Sequence, residues 1–345
     1  KNGDQVLLCT FRRTRSTEYN NPTIGANNVT LTSNILGANN VQSALGNILV
    51  KKDGQKPAKT KLMISAHMDE VGGIVTYVHE DGTLQFEPVG GIQPSVVIGR
   101  QVVVGENPGL PAVVGTTPIH LLSAKRRTTP VTFSDLFLDY GASSRETAQK
   151  LTPPGTPVYF RTAFEHLGNH CVRSKALDDR IGCAILLDLL ESDSVSFTAA
   201  FLVQEEIGLR GAGPAAYQVN PDVAIVLEGT TASDCADATG ADQVCCLGKG
   251  PVISFMDRAT MYDRELYQLA GSICEQHGLP WQTKNKIAGG NDSGAIHMSR
   301  NGVRTLAISA PCRYIHSPSS VANLEDIMHC ETLTKLLMEK VVQSS

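Results

Sequence analysis

His67, Asp69, Asp178, Glu205, Glu206, Glu228 and His316 are residues of the kinds that hold divalent metals and move protons, and most of them stand just beyond short apolar runs. A neutral imidazole is a good ligand for zinc or cobalt. A carboxylate two residues on, as Asp69 stands to His67, suits the second ring N–H and fixes the tautomer. Alone, a His-x-Asp pair is usually a chance of the surface. Here His67 closes the run Leu62 to Ala66, Glu205 and Glu206 follow Phe197 to Val203, Glu228 follows Val223 to Leu227, and His316 lies beyond Thr305 to Ser309. A single carboxylate at a strand end is ordinarily a cap or a solvated loop residue, but four strand ends alike call for a common cause. Asp178 opens an expected helix from Asp178 to Glu191, with acidic residues where the macrodipole favours them. Ile181, Ile185 and Leu189 follow helical spacing along it.

These residues need a frame that brings them to one place. After Lys175 strand and helix patterns alternate, which predicts an α/β fold with a mostly parallel sheet and flanking helices. In such sheets the ligand crevice lies outside the carboxyl ends of the strands. His67, His316, Asp178, Glu206 and Glu228 would meet there and share two divalent ions. With one hydroxide the charges balance, and Glu205 is left to act as general base. Ala44 to Val50 and Leu62 to Ala66 read as neighbouring strands, Arg264 to His277 as a helix stopped by Gly278-Leu-Pro, and Leu324 to Val342 as an amphipathic helix. Residues 1–45 read as a loop-rich leader, in which Ile24-Gly-Ala-Asn-Asn is echoed by Leu36-Gly-Ala-Asn-Asn, too briefly for a repeat architecture.

From Ile74 to about Gly168 short Val- and Ile-rich runs alternate with Gly, Pro and Asp turns, the texture of a small β-barrel or sandwich. The expected organisation is a discontinuous catalytic α/β domain, residues 1–73 and 169–345, with a β-rich domain at 74–168 inserted into it. Thirty Lys and Arg against 34 Asp and Glu give a net charge of −4, which leaves no basic footprint for nucleic acid and no polybasic patch for a membrane. No apolar run approaches the roughly 20 residues of a membrane span, and no secretory h-region opens the chain. Nine Cys without a CxxC motif read as reduced thiols and point to a cytoplasmic location.

Six ordered blocks, AHMDEVGG, SKALDDRIG, VQEEIGLRGA, VLEGTTASD, GGNDSGAIH and CRYIHSP, are similar to those of the tetrahedral-shell aminopeptidases, metallopeptidase family forty-two, which includes glutamyl, leucyl and lysyl aminopeptidases. The resemblance runs from about Leu45 to the C-terminal helix. It implies an α/β zinc-peptidase sheet with an inserted, β-barrel-like dimerisation domain and two divalent metals per subunit, zinc or cobalt. It further implies His67 and His316 as terminal ligands, Asp178 as the bridge, and Glu206 and Glu228 completing the two spheres. Glu205 matches the family's general base and Asp69 the residue that orients His67. The family's assembly is a hollow dodecamer built from dimers that admits peptides. Some members carry Asp where Glu228 stands, and residues 10–43 lack the helical opening the family would lead one to expect.

Exopeptidase action requires recognition of a free α-amine. Asp292, in the Gly289-Gly-Asn-Asp-Ser loop, is a candidate for that or for a place behind the ligands, and an ordinary turn residue is an equal alternative. His120, in Thr116-Thr-Pro-Ile-His-Leu-Leu, is a candidate oxyanion donor by resemblance to related dinuclear peptidases, although isolated His residues more commonly pack. His79, His166, His170, His277, His297 and His329 read as structural. A metal-dependent deacylase or carboxypeptidase on the same scaffold would want a positive clamp, for which Arg258 or Arg313 could serve. A glycosidase is disfavoured because neighbouring Glu205 and Glu206 cannot flank a bond from two sides. A non-catalytic shell subunit would be expected to lose ligands, and none is lost.

Overall fold

The computed structural model describes residues 40–42, 45–54, 58–106, 108–191, 195–235 and 238–343. The expected loop-rich leader lies almost wholly outside them. The chain divides into two compact units. One takes the described residues up to Asp69, Phe164–Ile315 and those from Ser320 on, and the other takes Glu70–Ala163 and His316–Ser319.

The first unit begins with β1 (Asn40–Gln42), β2 (Ile48–Lys52) and β3 (Leu62–His67). The second unit supplies β4 (Gly72–Val78), β5 (Leu84–Val89), β6 (Gln101–Val104), β7 (Leu110–Thr116), β8 (Leu136–Asp139) and β9 (Pro157–Phe160). The chain then returns with β10 (Glu165–Leu167), β11 (Cys171–Ser174), β12 (Phe197–Leu202), β13 (Val223–Thr231), β14 (Val252–Ile253), β15 (Arg304–Arg313) and β16 (Ser320–Asn323). The longer helices covering its sheet are α1 (Leu177–Glu191), α2 (Ala212–Val219), α3 (Arg264–His277) and α4 (Leu324–Gln343).

The sheet of the first unit runs β1-β2-β12-β3-β13-β15-β16-β11-β10, with β14 on β15. Its centre, β12-β3-β13-β15, is parallel, and antiparallel strands flank it on both sides. Every residue of β3 is buried, as expected of a strand with both faces covered. Leu62, Ile64 and Ala66 of β3 pack with apolar residues of α1, α3 and α4. Met63 packs with Ala212, Ala215 and Ala216 of α2 on the other face. The period of two along the strand thus sorts its side chains between two cores. The second unit is a closed barrel, β4-β5-β8-β7-β6-β9, around its own core of Val75, Leu84, Val102, Val114, Leu138 and Val158. Among the described residues no helix is long and apolar enough to cross a membrane.

Several expectations are corrected. β2 and β3 are not neighbours, because the apolar β12 lies between them, antiparallel to β2 and parallel to β3. Glu228 does not stand at a strand end. β13 continues through Thr231 because β15 runs equally far, pairing Glu228 with Ser309 and Thr231 with Cys312. Asp178 and Asp179 have non-helical backbone angles, so the regular turns of α1 begin after them, and Asp179 caps those turns by accepting the Gly182 N–H at 2.9 Å. At the ends of the insert, β4 begins at Gly72 and β10 pairs with β11 of the large sheet.

Helix α3 matches its expected span, with Gly278 in the left-handed conformation as its C-cap. At its other end the Asp263 carboxylate accepts the Leu266 N–H at 2.9 Å and pairs with Arg304 at 2.6 Å. Asp263→Ala is expected to lower stability by about 0.5–2 kcal/mol, most of it from the lost cap, since the half-exposed ion pair adds little. The Arg304 hydrogen bond holds the Asp263 carboxyl below its ordinary value, against the opposing effect of burial. Its contribution is therefore present above the unfolded-state pKa, about 3.9, and is lost as pH falls through the folded value. Urea titrations at neutral pH and near pH 3 should show the gap between wild type and variant shrinking in acid.

Candidate metal centre

His67 is the last residue of β3 and is almost fully buried. Its Nδ1 lies 3.1 Å from the Asp69 main-chain oxygen and 3.6 Å from Asp69 Oδ1. Its Nε2 lies 3.3 Å from Asp178 Oδ1 and 3.2 Å from Glu228 Oε1. One ring nitrogen is thus held toward Asp69, while the other is turned to two carboxylates.

Asp69 also reaches the next strand. Its Oδ1 accepts the Glu205 N–H at 3.1 Å and its Oδ2 the Glu206 N–H at 3.2 Å. The bond to His67 is the chief cause that holds its carboxyl below the ordinary value, against burial. The loop that carries Glu205 and Glu206 is closed on itself. Gly208 and Leu209 N–H donate to Glu205 O, Arg210 N–H to Gln204 O, and Gly211 N–H to Val203 O. Gln204 and Leu209 take positive φ, 61° and 57°. Buried Asn47 straddles the loop's two ends, accepting the Val203 N–H at 3.0 Å and donating to Gly211 O at 2.8 Å. A Cβ at Gly211 would come within 2.4 Å of Asn47 Oδ1, so this clamp needs glycine.

Asp179 anchors the opposite side. Its Oδ2 accepts the His67 N–H at 3.3 Å and its Oδ1 the Gly182 N–H at 2.9 Å. Burial pushes the Asp179 and Glu228 carboxyls well above their ordinary values, with the attraction of His67 opposing. Burial also works against a charged His67, but the facing Glu228 and the bonds to Asp178 and Asp69 outweigh it and raise the imidazole. Asp179 was not among the candidates from the sequence. The Asp178-Asp179 doublet was its only signal.

Two groups of ligand atoms converge: His67, Asp178 and Glu206, and His67, Asp179 and Glu228, the atoms of each within 4.8 Å of one another. The donor set fits a divalent metal. It is imidazole and carboxylate, His67, Asp179 and Glu228 are buried and Asp178 and Glu206 partly so, and Glu228 Oε2 makes no hydrogen bond. Crowded buried carboxylates are costly unless a cation or proton neutralises them. Neither group includes His79, His166, His170, His277, His297 or His329.

Asp292 is 1% exposed, and its Oδ1 has no hydrogen-bond partner. Burial pushes its carboxyl up to about 8, with His67 opposing and Glu205 and Asp69 adding to the rise. The loop around it is pinned, since Asn291 Nδ2 donates to Tyr262 OH at 3.0 Å and Tyr262 donates to Asp257. His316 lies in the connection from β15 to β16, which groups with the barrel unit. There it stands against Gly91, where a Cβ would come 3.4 Å from its Nδ1. His120 also belongs to the barrel unit and is exposed, in a short 3-10 turn at Ile119–Leu121.

A mixed sheet with a parallel centre, carrying a cluster of His67, Asp178, Asp179, Glu206 and Glu228, presents the donor types that hold divalent metals in hydrolases. The family model for M42 glutamyl aminopeptidase matches residues 46–333, and this chain belongs to that family of metallopeptidases. A putative aminopeptidase of Acetivibrio thermocellus is 35% identical over 301 residues, 86% of each chain. Among solved structures, an aminopeptidase of the archaeon Desulfurococcus kamchatkensis is similar with a TM-score of 0.83 and 30% identity, covering 91% of this chain and 89% of its own. The TET1 peptidase of Pyrococcus horikoshii, described as assembling into a tetrahedron or a large octahedral shell, is similar with a TM-score of 0.75 and 33% identity, covering 89% of each. The chain is accordingly a peptidase of the aminopeptidase class.

Proposed function

We propose that this chain removes N-terminal residues from peptides with two divalent metal ions, zinc or cobalt, held by His67, Asp178, Glu206, Glu228 and His316. The observation that carries the reading is the convergence of two ligand groups on one buried imidazole, His67. Bound there, the metals would supply Lewis acidity, making a water more acidic and polarising the scissile carbonyl.

The chain's own groups do the rest. Glu205 takes the proton from the attacking water and passes it to the leaving amine. Its backbone N–H bond to Asp69, and the closed turn it sits in, fix where it stands. Asp69 holds His67 through Nδ1, which leaves Nε2 for the metal side. Asp179 fixes the His67 main chain from behind. Asp292, buried with one oxygen unpartnered, is suited to receive the peptide's α-ammonium. His120 is retained as a candidate donor to the developing oxyanion. The chain is proposed to self-associate through its barrel unit; the Pyrococcus horikoshii relative, described as forming a tetrahedral or octahedral shell, supports assembly into a shell.

An assay with aminoacyl anilides tests the reading. Hydrolysis should stop on removal of metal by a chelator and return with added zinc, cobalt or manganese. A protein that stays active after complete chelation, or that cleaves only N-acylated or C-terminal substrates, would contradict it. The latter result would favour the deacylase or carboxypeptidase alternative.

A further inference from the structure

β3 and β13 pair only as far as Ser65 and Val226, whereas β3 stays paired with β12 through His67. β13 keeps to β15 past that point, pairing Glu228 with Ser309, so the two parallel strands part just before His67. The Met68 N–H donates to Leu202 O of β12 at 2.7 Å, and a trans peptide turns the His67 carbonyl the opposite way, into the gap that β13 leaves. We propose that Cys183 is a positioning residue for His67: its thiol takes the place of the departed strand on the His67 carbonyl and, with Asp179 on the N–H, sets the direction of the imidazole. The inference rests on the metal-dependent reading of the site.

The start of α1 fills the gap on both sides. Asp178 lies against β13, where a Cβ on Gly229 would crowd its Oδ1, Cβ and Cα at 3.0, 3.1 and 3.2 Å. Asp179 and Cys183 face β3. Asp179 Oδ2 accepts the His67 N–H at 3.3 Å, and Cys183 Sγ donates to His67 O at 3.1 Å. A carbonyl oxygen can only accept, so the thiol is the donor. His67 and Cys183 are both buried, and a peptide group left without a partner in such a place is costly. Both contacts come from one turn. Asp179 Oδ1 accepts the Gly182 N–H at 2.9 Å, and a Cβ on Gly182 would come within 2.4 Å of Asp179 Oδ2, so glycine is what lets the carboxylate reach His67.

The His67 side chain leaves the backbone between the two held groups. With its N–H and C=O both fixed, φ and ψ have little freedom, and Nδ1, 3.1 Å from Asp69 O, fixes the ring about its own bond. Nε2 is thereby presented to Asp178 and Glu228 at 3.3 and 3.2 Å. Groups behind a metal ligand typically carry about 10–100-fold in metal affinity. A thiol is a weak donor, which puts Cys183 at the lower end of that range.

The test uses two pairs of variants that nearly share a shape and differ in the donor: Cys183→Ser with Cys183→Ala, and Cys183→Thr with Cys183→Val. Three readouts are taken: zinc and cobalt dissociation constants of the metal-stripped protein by competition with a chelating dye, the visible spectrum of the cobalt-loaded protein, and the Tm of the metal-free protein. In each pair the hydroxyl variant should bind metal about tenfold more tightly than its partner and keep the wild-type cobalt bands. Should one pair fail to fold, the other decides. Equal metal affinity and equal cobalt bands within the folded pairs, whatever their Tm, would overturn the proposal and leave the metal centre standing. A wild type that takes up neither zinc nor cobalt would overturn the metal-dependent reading, and this proposal with it.

Discussion

Glu205→Gln is expected to lower kcat by about 10²–10⁴-fold, the usual contribution of a general base, with metal content unchanged. The substitution keeps the main-chain N–H that Asp69 Oδ1 accepts at 3.1 Å, and it keeps the closed turn that follows. What is lost is the capacity to take a proton. Glu205 is absent from both ligand groups, whereas its neighbour Glu206 belongs to one of them. Metal analysis together with steady-state kinetics separates the two. Glu206→Gln should lose metal, and Glu205→Gln should keep it. The opposite pattern would exchange their roles.

His67→Ala should have a larger effect, because both ligand groups share this one imidazole. Its Nε2 lies 3.3 Å from Asp178 Oδ1 and 3.2 Å from Glu228 Oε1, so removing the ring takes a ligand from each group and leaves the acids facing one another. Removing one partner from a buried charged set typically costs about 3–5 kcal/mol. Activity should fall below detection and should not return with excess zinc or cobalt. Wild-type Tm should rise when metal is added, by mass action on the folded state, and the variant's should not. A variant that regains activity with added metal, or shows the wild-type rise in Tm, would show that His67 is not a metal ligand.

Much of this was legible in the sequence, for physical reasons. Buried parallel strands are continuous apolar runs, so β3, β12 and α3 could be read directly, and the residues at the ends of β3 and β12 stood out by their polarity. The place of β12 between β2 and β3 could not be read, since strand order depends on which faces pack and not on local pattern. Glu228 was mistaken for a strand terminus because a charged residue usually ends a buried strand, whereas here the ladder with β15 carries the strand on. Asn47 gives no distinct signal in the sequence, and Asp179 only that of the Asp178-Asp179 doublet. Their work is to accept and donate single main-chain hydrogen bonds across more than 100 residues of sequence, a separation no spacing rule captures.

The most direct measurement of the central claim is anomalous diffraction from crystals grown with zinc or cobalt, with metal counted independently by mass spectrometry. The reading predicts two metal peaks per chain, bounded by His67, Asp178, Glu206, Glu228 and His316 at about 2.0–2.3 Å, and two equivalents in solution. A single peak, none, or peaks held by side chains outside this set would contradict it.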